Sequence, residues 1–159
     1  MNNLFDIACN FSSDRFDKDL DAVIERAKIN NVNKFLIVSA SLNDFEKTYN
    51  IYKSNLKEAF FSIGTHPHHA DEINEEQIKN MRRLVGEHNP SCVGETGLDF
   101  FRNLSSHDEQ TYAFQTLHKK FYCSNVKNYI FFHAQFTLFL LSPVQNCISF
   151  IFAKTSYLQ

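Results

Sequence analysis

The chain has 159 residues, 43% of them hydrophobic, and sixteen basic residues against eighteen acidic ones leave a formal charge of −2. That is enough for one domain with a real core. The charge balance excludes nucleic-acid binding through a broad basic surface, which rests on many Lys/Arg–phosphate contacts, but leaves open a phosphate substrate held through a metal ion.

Four short apolar runs alternate with four amphipathic segments. The runs are Leu4–Ala8, Phe35–Ala40, Ala59–Gly64 and Ser91–Val93, each read as a strand covered on both faces. After the first, Phe16, Leu20, Val23, Ile24 and Ala27 recur at helical spacing. After the second, Asn43 and Glu46 have the spacing of an N-cap and its N3 partner. After the third, Asn74 and Gln77 repeat it, with Ile73 and Ile78 placed as a hydrophobic staple, and Asn89-Pro90 stops the helix. After the fourth, Ser106 and Glu109 suit a capping box that opens a helix through Tyr112, Ala113 and Leu117.

Repeated strand–helix units predict a parallel sheet with right-handed crossovers, and both a doubly wound sheet and a barrel fit that pattern. Polar residues separate the two. Asn10 follows the first run, His66 and His68 follow the third, and Glu95 closes the fourth. Ligand-type side chains at the carboxyl ends of several strands are where a (β/α)8 barrel builds its site. No GxGxxG or GxxxxGK[ST] follows any run. The predicted fold is α/β, a partial (β/α)8 TIM-type barrel of the first four to five βα units. Residues 1–117 form the half barrel and residues 118–159 a divergent or truncated tail.

That tail is apolar and atypical, without one Asp, Glu, Lys or Arg from Asn128 to Ala153. A membrane span is interrupted by Gln135, Ser142-Pro143, Gln145 and Asn146. The other readings are a diverged fifth strand plus an irregular element, or a segment that is not the original continuation; the abrupt change of composition favours the last. No membrane partner is expected. Cys9, Cys92, Cys123 and Cys147 form no CxxC and read as reduced thiols of an intracellular protein. The N-terminus MNNLFDIACN has no secretory pattern, leaving cytoplasm or nucleus.

Glu95 stands between Gly94 and Gly97 in VGETGLDF, at the end of an apolar run. A buried carboxylate there is costly unless a cation or metal meets it, and the glycines leave space for an ion or phosphate to approach. In GTHPHH, His66-Pro67-His68 is a rigid pair of imidazoles, which serve as metal ligands or as phosphate donors, while His69 reads as solvated and Asp6 as structural.

The segments FDIACNFSSDRFDKDLDAVIERA, SIGTHPHHADE and VGETGLDFFRNLSSHDEQTYAFQTL, in that order, resemble the TatD family of metal-dependent deoxyribonucleases over about residues 4–117. The resemblance implies hydrolysis of DNA phosphodiester bonds, typically trimming single-stranded 3′ ends, with Mg²⁺, Mn²⁺ or Zn²⁺ as cofactor. It places Glu95 on the family's metal-binding glutamate and His66 and His68 in its GxHPH segment. Strand 1 of barrel metallohydrolases often delivers an HxH pair; here Ala8 and Asn10 stand at those positions, and the resemblance implies the branch of the family that carries this Asn10 variant, with Asn10 near the substrate. A histidine ligand is implied at the end of strand 5, where IFFHAQ offers His133, with Ala134 and Gln135 in place of Cys and Arg. The family's later histidine and aspartate ligands have no counterpart here. The rival reading is a catalytically inactive fragment or isoform acting at most as an interaction module.

Overall fold

A computed structural model describes residues 4–54, 58–102, 104–122 and 129–134, the last segment and Tyr122 by backbone alone. Five strands alternate with four helices: β1 (Leu4–Cys9), α1 (Leu20–Ile29), β2 (Val32–Ile37), α2 (Phe45–Lys53), β3 (Ala59–Ile63), α3 (Glu75–His88), β4 (Cys92–Leu98), α4 (His107–Leu117) and β5 (Tyr129–Ala134). Every neighbouring pair is parallel and the spatial order is β1-β2-β3-β4-β5. A doubly wound sheet reverses its strand order at a switch point. Here the order never reverses, which is the first part of a (β/α)8 barrel.

The helices pack on one face of this sheet. Their larger contact cluster joins Phe45, Ile78, Met81, Leu84, Val85, Ala113 and Leu117 to Phe61 and Ile63 of β3 and Val93 of β4. A second cluster packs Ile24 against Phe35, Ile37, Cys9 and Phe11. Leu36, Val38 and Cys92 form a smaller cluster, with Ile7 against it. The strands are less evenly covered than the apolar runs predict. Along β1, Leu4 and Phe5 are exposed and only Cys9 is buried, because β1 lies at one edge of the sheet.

Two helix starts match the sequence reading. Asn74 accepts from Gln77 N, with Ile73 and Ile78 both buried, and Ser106 and Glu109 form a complete capping box. A third differs. Asn43 does not cap; Ser41 accepts from Asn43 N at the head of a 3-10 turn, Leu42–Asp44, that leads into α2. No helix among the described residues is long and apolar enough to cross a membrane. Most of the uncharged tail lies outside the described residues, as do Cys123 and Cys147.

Met81 has no exposed surface, so Met81→Ala should cost about 2–5 kcal/mol. Ser106→Ala, which removes only the cap of α4, should cost about 1 kcal/mol. Urea unfolding of the two variants measures both and should keep that order.

Candidate functional site

Glu95 lies inside β4, not at its end. Val93 pairs with Ile130 and Thr96 with Phe132, so Gly94 and Glu95 together face the single residue 131 of β5. This is a β-bulge, a device that bends a strand and re-aims a side chain. Gly94 and Gly97 have φ of 148° and 154°, conformations that favour glycine over any residue with a Cβ. Gly94 is not left open to a ligand on the side facing β3. A Cβ on Gly64 would stand 2.2 Å from the Gly94 carbonyl carbon, so the two backbones are in direct contact there.

That contact sets the loop after β3 beside the bulge. The N–H of His66 donates to the Ala40 carbonyl at 2.8 Å, tying the loop to the end of β2. The chain then turns through a 3-10 segment, Pro67–Glu72. His68 N–H donates to His66 Nδ1 at 3.1 Å. A ring nitrogen that accepts carries no proton, so a neutral His66 holds its ring hydrogen on Nε2, 3.9 Å from Glu95 Oε1. Both side chains are nearly enclosed, 12% and 13% exposed. The rings of His66 and His68 meet edge to face with centroids 4.2 Å apart.

The sequence reading gave Asp99 no role, yet it organises this corner. It is fully buried. Its Oδ1 accepts from the N–H groups of Phe101 and Arg102, and its Oδ2 lies 2.7 Å from His68 Nε2. Its own N–H donates to Gln110 Oε1, and Gln110 Nε2 donates to the carbonyls of Asp99 and Ser105. Burial alone pushes the Asp99 carboxyl up. The His68 ring and the N–H groups of Arg102 and Phe101 outweigh it and hold the group below the usual carboxylate range. The acid's presence in VGETGLDF was the only signal in the sequence, and the two side chains it meets, His68 and Gln110, lie 31 and 11 positions away.

The other candidates are more dispersed. Asn10, exposed just after β1, has its Oδ1 3.3 Å from Ser12 Oγ. The backbone of His133 pairs with Gly97, two residues beyond Glu95. His69 is half-exposed and contacts Glu72 through Nδ1 at 3.0 Å. Asp6 Oδ1 accepts from the N–H of Ala8. Cys9 and Cys92 are free and buried, and burial pushes both thiols up, Cys92 to about 12. Among the described residues no group of three His, Cys, Asp or Glu converges on one point. The carboxylate oxygens of Glu95 fit a hard divalent cation, whereas His66, with its hydrogen on Nε2, fits a donor to substrate.

Five consecutive parallel strands in unreversed order, each but the last followed by a helix, define the first part of a (β/α)8 barrel. The chain belongs to the TatD-related DNase family, whose model matches residues 5–135. The protein named 3′-5′ ssDNA/RNA exonuclease TatD of Pantoea ananatis is 35% identical over 111 residues, 70% of this chain and 43% of its own length. The protein of the same name from Cronobacter sakazakii is 38% identical over 111 residues, covering 70% and 42%. The chain therefore spans less than half the length of these relatives. The crystal structure of a TatD family hydrolase from Entamoeba histolytica superposes with a TM-score of 0.70 at 27% identity, covering 85% of this chain and 51% of that one. A TatD homologue from Escherichia coli K12, at 18% identity and a TM-score of 0.73 over 83% of this chain and 51% of its own, shares the fold.

Two outcomes follow from the geometry. Gly64→Ala should destabilise by about 1–3 kcal/mol, because backbone and not a flexible side chain blocks the new methyl. Urea denaturation checks this. Asp99 has a folded pKa below its ordinary 3.8, so its contribution is complete above that value and lost as pH falls through the folded pKa. Below about pH 4 the urea midpoint of the wild type should therefore fall more steeply than that of Asp99→Asn.

Proposed function

We propose that this chain carries the first part of a metal-dependent hydrolase site that cleaves phosphodiester bonds of DNA, trimming single-stranded 3′ ends. The observation that carries the reading is the near-enclosed Glu95 carboxylate at a bulge, with His66 Nε2 3.9 Å from it. Family membership and the relatives' name as 3′-5′ ssDNA/RNA exonucleases support the substrate class. In this reading Glu95 is the catalytic metal ligand and His133, beside Gly97 in register, the second. A bound divalent ion, Mg²⁺ in preference to Mn²⁺ or Zn²⁺, supplies charge to polarise a phosphoryl oxygen and acidify water. His66 donates its Nε2–H to a phosphoryl oxygen, and His68 and Asn10 line the substrate. Residues 1–117 hold all of this machinery except His133, which β5 brings in from the segment after 117. The buried free thiols support an intracellular setting.

The second reading, a catalytically inactive fragment, is favoured by the absence of any three-ligand group among the described residues. One assay separates the two. With a 5′-fluorescent oligothymidylate, cleavage should require a divalent ion, stop with EDTA, and fall about a hundredfold or more in Glu95→Ala, since even residues behind a ligand cost 10–100-fold. No cleavage with Mg²⁺, Mn²⁺ or Zn²⁺ would leave the inactive fragment standing.

A further inference from the structure

The two imidazoles of the HPH segment touch each other but differ in what lies against them. His66 accepts at Nδ1 from the His68 N–H, so a neutral His66 carries its ring hydrogen on Nε2, the nitrogen 3.9 Å from Glu95 Oε1. His68 has the opposite edge engaged: its Nε2 lies 2.7 Å from Oδ2 of Asp99, a side chain with no exposed surface. An ionised carboxylate only accepts, so the hydrogen at that contact belongs to His68 Nε2. A neutral His68 then has its lone pair on Nδ1.

We infer that Asp99 is a positioning residue that fixes the tautomer and orientation of His68, so that the ring pair offers one donor, His66 Nε2–H, beside one acceptor, His68 Nδ1. Phosphodiester oxygens are acceptors only and match the donor. The acceptor requires an O–H group: the terminal sugar hydroxyl of a nucleotide strand, or the water that attacks phosphorus. This deepens the function proposed above and rests on it, since it assigns the two rings separate parts of one substrate end. A carboxylate behind a histidine commonly sets which nitrogen faces the chemistry. The lowered pKa of Asp99 keeps it ionised at neutral pH, as the arrangement needs.

Asp99→Asn tests this with little change of shape. Its amide oxygen can still accept from Phe101 and Arg102, but the group facing His68 becomes a donor. In ring ¹⁵N–¹H correlation spectra near neutral pH, wild-type His68 should carry its proton on Nε2 alone, and Asp99→Asn should move it to Nδ1. A wild-type ring protonated on Nδ1 alone or on both nitrogens overturns the assignment, as does an unchanged pattern in a folded variant. The wild-type spectrum decides even if the variant does not fold.

Binding of oligothymidylates ending in 3′-OH or 3′-H identifies the O–H donor. About tenfold weaker wild-type binding of the 3′-H strand, lost in Asp99→Asn, points to the sugar hydroxyl. Equal binding of both ends, with single-turnover cleavage slowed about tenfold in Asp99→Asn, points to the water. No difference between wild type and variant in binding or cleavage overturns the proposal. A wild type that neither binds nor cleaves either strand overturns the function on which it rests, while the ring spectra still decide the tautomer.

Discussion

At Gly64 and Gly94 two strands come closer than any side chain allows. The rest of the corner depends on that approach. With the backbones in contact, the loop that leaves β3 emerges directly over the bulge in β4, and His66 arrives beside Glu95 without a long side chain bridging a gap. Hydrogen bonding then secures the loop from both ends: His66 N–H to the Ala40 carbonyl, and His68 to Asp99. Close packing of peptide units, with glycine as the enabling residue, is therefore the geometric origin of the site.

Asp99 solves a different problem in the same place. A buried carboxylate needs several partners to offset its lost hydration. It finds two backbone N–H groups in the turn that follows β4 and one imidazole from the loop after β3. Gln110, also fully buried, closes the turn onto α4 through three further hydrogen bonds. The end of β4, the start of α4 and the HPH loop are thus held as one polar network, and such networks give a single defined arrangement when every member is satisfied.

Local chemistry was the legible part of the sequence. Asn74 and Ser106 cap their helices as their spacing predicts, because a cap and the backbone N–H that donates to it lie within three residues of each other. Asn43 misled for the same reason: Ser41, two positions earlier, makes the better local acceptor and begins a tighter turn. The barrel pattern was readable from alternation, and the unreversed strand order removes the doubly wound alternative. Glu95 was recognised as the unusual carboxylate but placed at a strand end, since an apolar run stops at Val93 while the hydrogen-bonded ladder continues to Leu98. The packing of Gly64 on Gly94, and the pairing of Asp99 with His68, join residues about thirty positions apart, and no periodicity encodes that.

The bulge in β4 carries a consequence of phase. Side chains alternate across a strand, so residues two apart share a face. Val93 faces the helices, packed with Ile63 and Met81. In an unbroken strand Glu95 would share that face and bring its carboxylate among aliphatic side chains with nothing to solvate it. The extra residue shifts the count by one, so the same amino-acid order keeps Val93 in the oily layer and delivers Glu95 to the imidazoles.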